Sequence, residues 1–207
     1  LKALREIDAD SLTPYILTIG LILLISAPIL PVAVIMFIQD MLFFSYNHLS
    51  FIRPQAAYSG FAAGMALVAV TLFSFLFTKL YAEKKQRDYR LAGLHLFLLL
   101  LALPLFALSI FHYAYLDEDG VHVNPFWSLT EVYVAWDQVE HVVRTVDEGT
   151  SRVLSYTFID GDVTVTVPYD SQDFQTVRTI NRASLQYDWE TTDTFENTGQ
   201  SLNLFTE

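Results

Sequence analysis

The sequence predicts an integral membrane α-helical protein: three transmembrane helices, then a small β-rich domain that ends in a helix. Three observations carry that reading. Long stretches lack any formal charge, acidic residues crowd into the C-terminal half, and near residue 113 the hydrophobic period changes from helical to alternating. Of 207 residues, 53% are apolar and 17% charged, against roughly 25% charged in soluble domains. Residues 1–116 hold 8 Lys/Arg and 6 Asp/Glu, whereas residues 117–207 hold 4 Arg, no Lys and 17 Asp/Glu. The net charge of −11 is therefore +2 on a greasy half and −13 on an acidic one.

The charge-free runs are Ser11–Gln39, Pro54–Thr78 and Leu91–Leu116, with spans at about 15–38, 60–80 and 91–114. A helix needs about 20 apolar residues to cross a bilayer, so each run suffices alone. Between the second and third spans, KLYAEKKQRDYR carries Lys79, Lys84, Lys85, Arg87 and Arg90, the basic cluster expected in the cytoplasm. Three spans then put the N-terminus, with Lys2 and Arg5, in the cytoplasm. The loop at 39–59 and the acidic domain fall outside it. The first span contains SAPILP and is followed by the aromatic MLFFSYNHLSFI. It reads as a kinked helix with an aromatic belt at its exit, the alternative being a re-entrant hairpin.

No Asp, Glu, Lys or Arg is expected deep in a span, which argues against a self-sufficient channel or transporter. His95 and His112 lie near the two ends of the third span and read as headgroup or helix–helix hydrogen-bonding residues. In the second span Ala56, Gly60 and Gly64 recur every four residues, a small-residue packing face for another helix of this chain or of a partner.

From Tyr113 the chain reads as about six short strands. Asp119-Gly120 and Asp160-Gly161 are hairpin turns, DEGT (147–150) is a further turn, and Val163, Val165 and Val167 share one strand face. After Pro168 a helix is expected, capped by Asp170 or Ser171, with Phe174, Val177 and Ile180, continued by Ala183 or Leu185, as its apolar stripe. The stretch LDEDGVHVNPFWSLTEVYVAWDQVEHVV resembles the bacterial PH-like domains found beside transmembrane helices. The resemblance rests on Asp119-Gly120, Tyr133 and Trp136 to Val139, and covers about residues 113–186. It implies a strongly bent sheet plugged by a C-terminal helix, in a family that mostly binds proteins, peptides or lipids. The basic pocket of phosphoinositide-binding PH domains is missing. The chain thus divides into a membrane region (1–116), a PH-like domain (117–186) and an acidic tail (187–207).

Chemistry is sparse. With no cysteine, disulfides, thiolate metal sites and thiol nucleophiles are excluded. A lysine-free acidic domain does not suit nucleic acid. The acids at 117–119 and 160–162 lack EF-hand spacing and read as turn residues. His122 and His141 sit on strands without a third metal ligand, and no phosphate-binding loop or nucleophile elbow is present. No enzyme activity, metal or cofactor is expected. Phe126 and Trp127 follow a proline just after the third span, and are either interface anchors or core. Trp189 and Phe205 in the tail are candidate partner-binding aromatics. The function expected is a membrane accessory or scaffolding subunit, its partner another membrane protein or a second copy. The alternative is an extracytoplasmic signalling or protective module that captures a basic ligand.

Overall fold

The computed structural model describes residues 8–197, which form two compact units: residues 8–40 with 55–111, and residues 41–54 with 112–197. Lys2, Arg5 and Phe205 lie outside the described residues.

The first unit is helical. Helix α1 (Ala9–Ser26) and helix α2 (Leu30–Phe43) come from the first charge-free run, α3 (Gln55–Lys84) from the second and α4 (Ala92–Phe111) from the third. Three of them, α1, α3 and α4, are long and apolar enough to cross a membrane. The break between α1 and α2 has a local cause. Pro28 and Pro31 bring no N–H, so two carbonyls in the preceding turn lose their helical donors. The chain there turns through tighter three-residue bonds, from Ile29 N–H to Ser26 O (3.0 Å) and from Val32 N–H to Ile29 O (3.2 Å). The chain keeps advancing across the break. Ala9 N–H donates to Glu83 near the end of α3, a side chain on Gly20 would strike Phe73, and Gln39 Nε2 donates to Ile110 O near the end of α4. That progression is a kinked helix, not a hairpin.

The basic cluster is split between a helix and a loop. Lys79 and Lys84 belong to the last turns of α3, because the KLYAEK stretch consists of good helix formers with nothing to stop it. Lys79 is 1% exposed, with Nζ 3.8 Å from Glu83 Oε1, so one ionisable side chain does lie inside the helical unit. Lys85, Arg87 and Arg90 occupy the connection to α4. His95 is buried, with Nε2 3.1 Å from Ser74 Oγ of α3 and Nδ1 2.9 Å from the Tyr89 hydroxyl.

The second unit holds two four-stranded sheets. In the first the order is β1 (Ser50–Ile52), β2 (Tyr113–Leu116), β3 (Gly120–Asn124) and β4 (Val132–Ala135), all antiparallel. In the second it is β7 (Val163–Pro168), β6 (Val153–Asp160), β5 (His141–Asp147) and β8 (Glu190–Glu196). The hairpins fall where expected: Asp117 Oδ1 accepts from the N–H groups of Asp119 and Gly120, and Gly161 takes the positive φ (51°) that its turn requires. Helix α5 (Phe174–Tyr187) follows β7. Ala114, Leu116, Val121, Val134, Trp136, Phe158, Val165 and Ile180 lie in one buried core.

Two strands go beyond the six expected. β1 comes from the segment between α2 and α3, which therefore belongs to this unit and not to the helical one. β8 comes from the segment read as tail, and pairs in parallel with β5 from His141↔Glu190 to Asp147↔Glu196.

Helix α5 is also rotated from the expected stripe. Its cap is Asp173, which accepts from Gln175 N–H and Thr176 N–H. The Thr176 hydroxyl lies 2.5 Å from Ser50 Oγ in the buried layer against β1. Thr176, Thr179, Ile180 and Ala183 consequently face inward, and Phe174 faces out.

Candidate functional site

Strand alternation puts Val121 and Val123 in the core and sends His122 to the opposite face of the first sheet. Register then builds a row of rings across all four strands: Phe51↔Tyr115, Tyr115↔His122 and His122↔Tyr133. Tyr115 and His122 stack at 4.3 Å, Tyr133 lies 4.3 Å from the other side of His122, and His48 stacks on Tyr115 at 4.0 Å.

A charged core runs through the row. Glu131 accepts from His122 Nδ1 (2.7 Å), the Tyr115 hydroxyl (3.0 Å) and the Tyr113 hydroxyl (3.3 Å). On its other side His122 Nε2 is 3.2 Å from Asp117 Oδ2, within ion-pairing range but off the line of a hydrogen bond. Burial pushes the Tyr115 hydroxyl well above the ordinary phenol range, and its bond to Glu131 adds to the shift. Burial likewise pulls the His48 imidazole below its ordinary value, with Asp117 and Glu131 opposing that shift and His122 adding to it.

This cluster fastens parts of the unit to one another. Glu131 ties the start of β4 to β2 and β3, and Asp117 ties the hairpin turn to β3. His141 lies elsewhere, with Nε2 2.9 Å from Thr192 Oγ1, holding β5 to β8. Among the described residues no three His, Asp or Glu side chains are grouped so that they could hold a metal ion.

The other sequence-singled residues do not converge on one place. Ala56 is exposed and Gly60 half-buried, while Gly64 is buried against Phe106 of α4, where an added Cβ would sit 2.5 Å from the ring. The small-residue stripe thus packs inside this chain at Gly64. Trp189, expected to face a partner, is engaged in its own unit. Its Nε1 donates to Trp136 O (3.1 Å), and its ring packs against Trp136, Phe158 and Tyr187. The cause is that the chain turns back after α5, so residue 189 meets the core. Phe126 is half-buried, edge-on to His112 at 5.5 Å, whereas Trp127 is 80% exposed.

Two side chains expected in the inward stripe of the C-terminal helix are exposed instead. Phe174 (73% exposed) and Leu185 (88%) stand at the two ends of α5, with Arg178 and Arg182 on the helix between them. The spacing 174–178–185 is a helix-face signal; what hid it was the competing stripe through Ile180.

No protein-family model matches the chain, and no curated protein or solved structure matches it.

Proposed function

We propose that this protein is a non-enzymatic accessory or scaffolding subunit of a membrane, its apolar helices holding a PH-like interaction module outside the cytoplasm. The observation that carries the reading is the outward face of α5. Phe174 and Leu185 expose large apolar surface on a rigid, capped helix, and Arg178 and Arg182 set a positive charge between them in an otherwise acidic unit. A groove-binding partner with apolar side chains and a carboxylate matches that face. The antiparallel order β1-β2-β3-β4, then β5 to β7, then α5 supports the PH-like reading; β8 is an addition to it. The basic loop at 85–90 supports the orientation.

Capture of a basic ligand by the acidic turn is the weaker reading. Asp117 already serves the turn's N–H groups through one oxygen and faces His122 with the other.

The test is purification from native membranes through an N-terminal tag, followed by mass spectrometry. A stoichiometric membrane partner or a second copy is expected. It should be lost in the Phe174→Glu/Leu185→Glu variant, which removes no buried contact. A solitary monomer, or a complex indifferent to both substitutions, overturns the reading.

A further inference from the structure

The chain enters or leaves the second unit at Met41, Pro54 and His112, in or next in sequence to α2, α3 and α4. The unit's own geometry gathers these points. Phe43 packs its ring 4.3 Å from Tyr113, and β1, which leads to Pro54, pairs Ile52 with Ala114. One end of the first sheet is therefore where chain passes to the membrane helices.

Register says what else lies at that end. In the β2–β3 hairpin Tyr113 pairs with Asn124, while Leu116 pairs with Val121 at the opposite end, about 10 Å away at 3.4 Å per residue. The acids Asp117, Glu118 and Asp119 make the turn at the far end. The loop 125–131 leaves from Asn124 at the near one. His112 Nδ1 lies 2.9 Å from Asn124 O, and Phe126 rests edge-on against the His112 ring. Ser128 stiffens the loop, its N–H donating to Pro125 O and its Oγ accepting from Thr130 N–H. Trp127 and Leu129 project from it, exposed, and Phe44 and Tyr46 are exposed just past α2. All four belong to the end of this unit that carries Phe43 and His112, and neither segment, 44–46 nor 125–131, contains a lysine.

We infer that Trp127 and Leu129, with Phe44 and Tyr46, form an interfacial anchor that seats in the headgroup–acyl boundary of the bilayer crossed by α1, α3 and α4. An indole with an apolar body and one N–H donor partitions to that depth. The acidic turn, at the other end of the hairpin, is kept away from anionic headgroups. Insertion, not headgroup charge, then holds this end of the unit to the membrane. The inference rests on the three helices crossing a bilayer, not on any protein partner.

The full chain in lipid nanodiscs tests it, because Trp136 and Trp189 are held in the core and Trp127 is the third of three tryptophans. Phospholipids brominated on acyl carbons near the headgroup should quench up to about a third of the emission, and Trp127→Phe should abolish that loss. Leu129→Glu should lessen it by lifting the loop. Failure of the chain to stay in washed discs overturns the membrane reading itself. Retention without bromolipid quenching overturns the anchor alone: aqueous iodide quenching Trp127 then puts it in solvent, and quenching by neither puts it under protein.

Discussion

The two units differ in what they leave outside: the helical unit exposes large apolar side chains that the second unit keeps mostly in its core. In the helical unit the interior holds Ile16, Ile35, Met65, Phe75 and Leu76, but also many small residues (Ala9, Gly20, Ala57, Gly64, Ala69, Ala92, Ala102, Ser109) and the polar Gln39, Thr71, Lys79 and His95. Ile19, Ile25, Phe37, Phe97 and Leu103 face out. The second unit buries Leu116, Val134, Trp136, Phe158 and Val167. Its outward strand faces show Thr164, Thr166 and every residue of β8. Water drives large apolar groups inward in one unit. Three helices of the other are long and apolar enough to cross a membrane, and a helix set in lipid feels no such drive, so that close backbone approach and hydrogen bonding weigh more in what goes inside. Shrinking a large core residue is thus the sharper test of the second unit, and enlarging a buried small residue the sharper test of the helical one.

Trp136→Ala is the strongest break on the β side. It empties the centre of the core and orphans Asp117 O, which accepts from the indole at 3.0 Å. The expected cost is about 3–5 kcal/mol, read as a fall in the urea midpoint of the second unit with the helical unit's signal unchanged. On the helical side the matching experiment enlarges a residue. Gly64→Leu drives side-chain atoms into Phe106 and should cost about 1–3 kcal/mol. Phe106→Ala on the same chain should recover part of that cost. Gly93→Leu is the control, since a Cβ there meets nothing within 4 Å. Equal losses at positions 64 and 93 would show that glycine flexibility, not close packing, matters in these helices.

A smaller effect separates the units by pH. His48 has an imidazole value held below its ordinary one, so between that lowered value and about 6.5 the unfolded chain binds more protons than the folded one. Stability of the second unit should therefore decline as pH drops below about 6.5. The buried Nδ1 has no hydrogen-bond partner among the described residues. His48→Phe should keep the stack on Tyr115 and flatten that part of the profile; an unchanged slope would assign it to other groups.

What the sequence showed plainly was whatever depends on neighbours in the chain. Charge-free runs marked the helices and Asp-Gly pairs marked the hairpins, because a span or a tight turn is decided within a few residues. β1 was invisible: three residues, SFI, inside an aromatic loop, with a partner strand more than sixty positions away. β8 reads as ETTDTFE, polar on both faces because both are exposed, so no alternation betrays it. His122 was noticed, but its partners were not. Glu131 and Tyr115 reach it only through strand register, and His48 arrives on a loop that contributes β1. The reading of α5 failed for a related reason. A buried hydroxyl pair, Ser50 and Thr176, orients the helix, and periodicity in apolar residues has no access to it.

The smallest expected effect concerns how β8 is held. Arg144 of β5 grips Asp193 of β8 with two parallel bonds, Nε to Oδ1 at 2.7 Å and Nη2 to Oδ2 at 2.9 Å, and the hydrogen bond to Asp193 raises the guanidinium above its ordinary value. The geometry is the strong kind, yet both side chains are more than a third exposed, and water and salt screen such pairs. Asp193→Asn should therefore cost well under about 1 kcal/mol of global stability. A strand with every residue exposed has little apolar burial of its own, so local opening is where the loss should show. Hydrogen exchange of the β8 amides should quicken several-fold while that of β6 does not change, and the difference should shrink in high salt. Exchange unaltered by the substitution would mean that the backbone ladder with β5 and the Trp189 ring hold β8 without help from the ion pair.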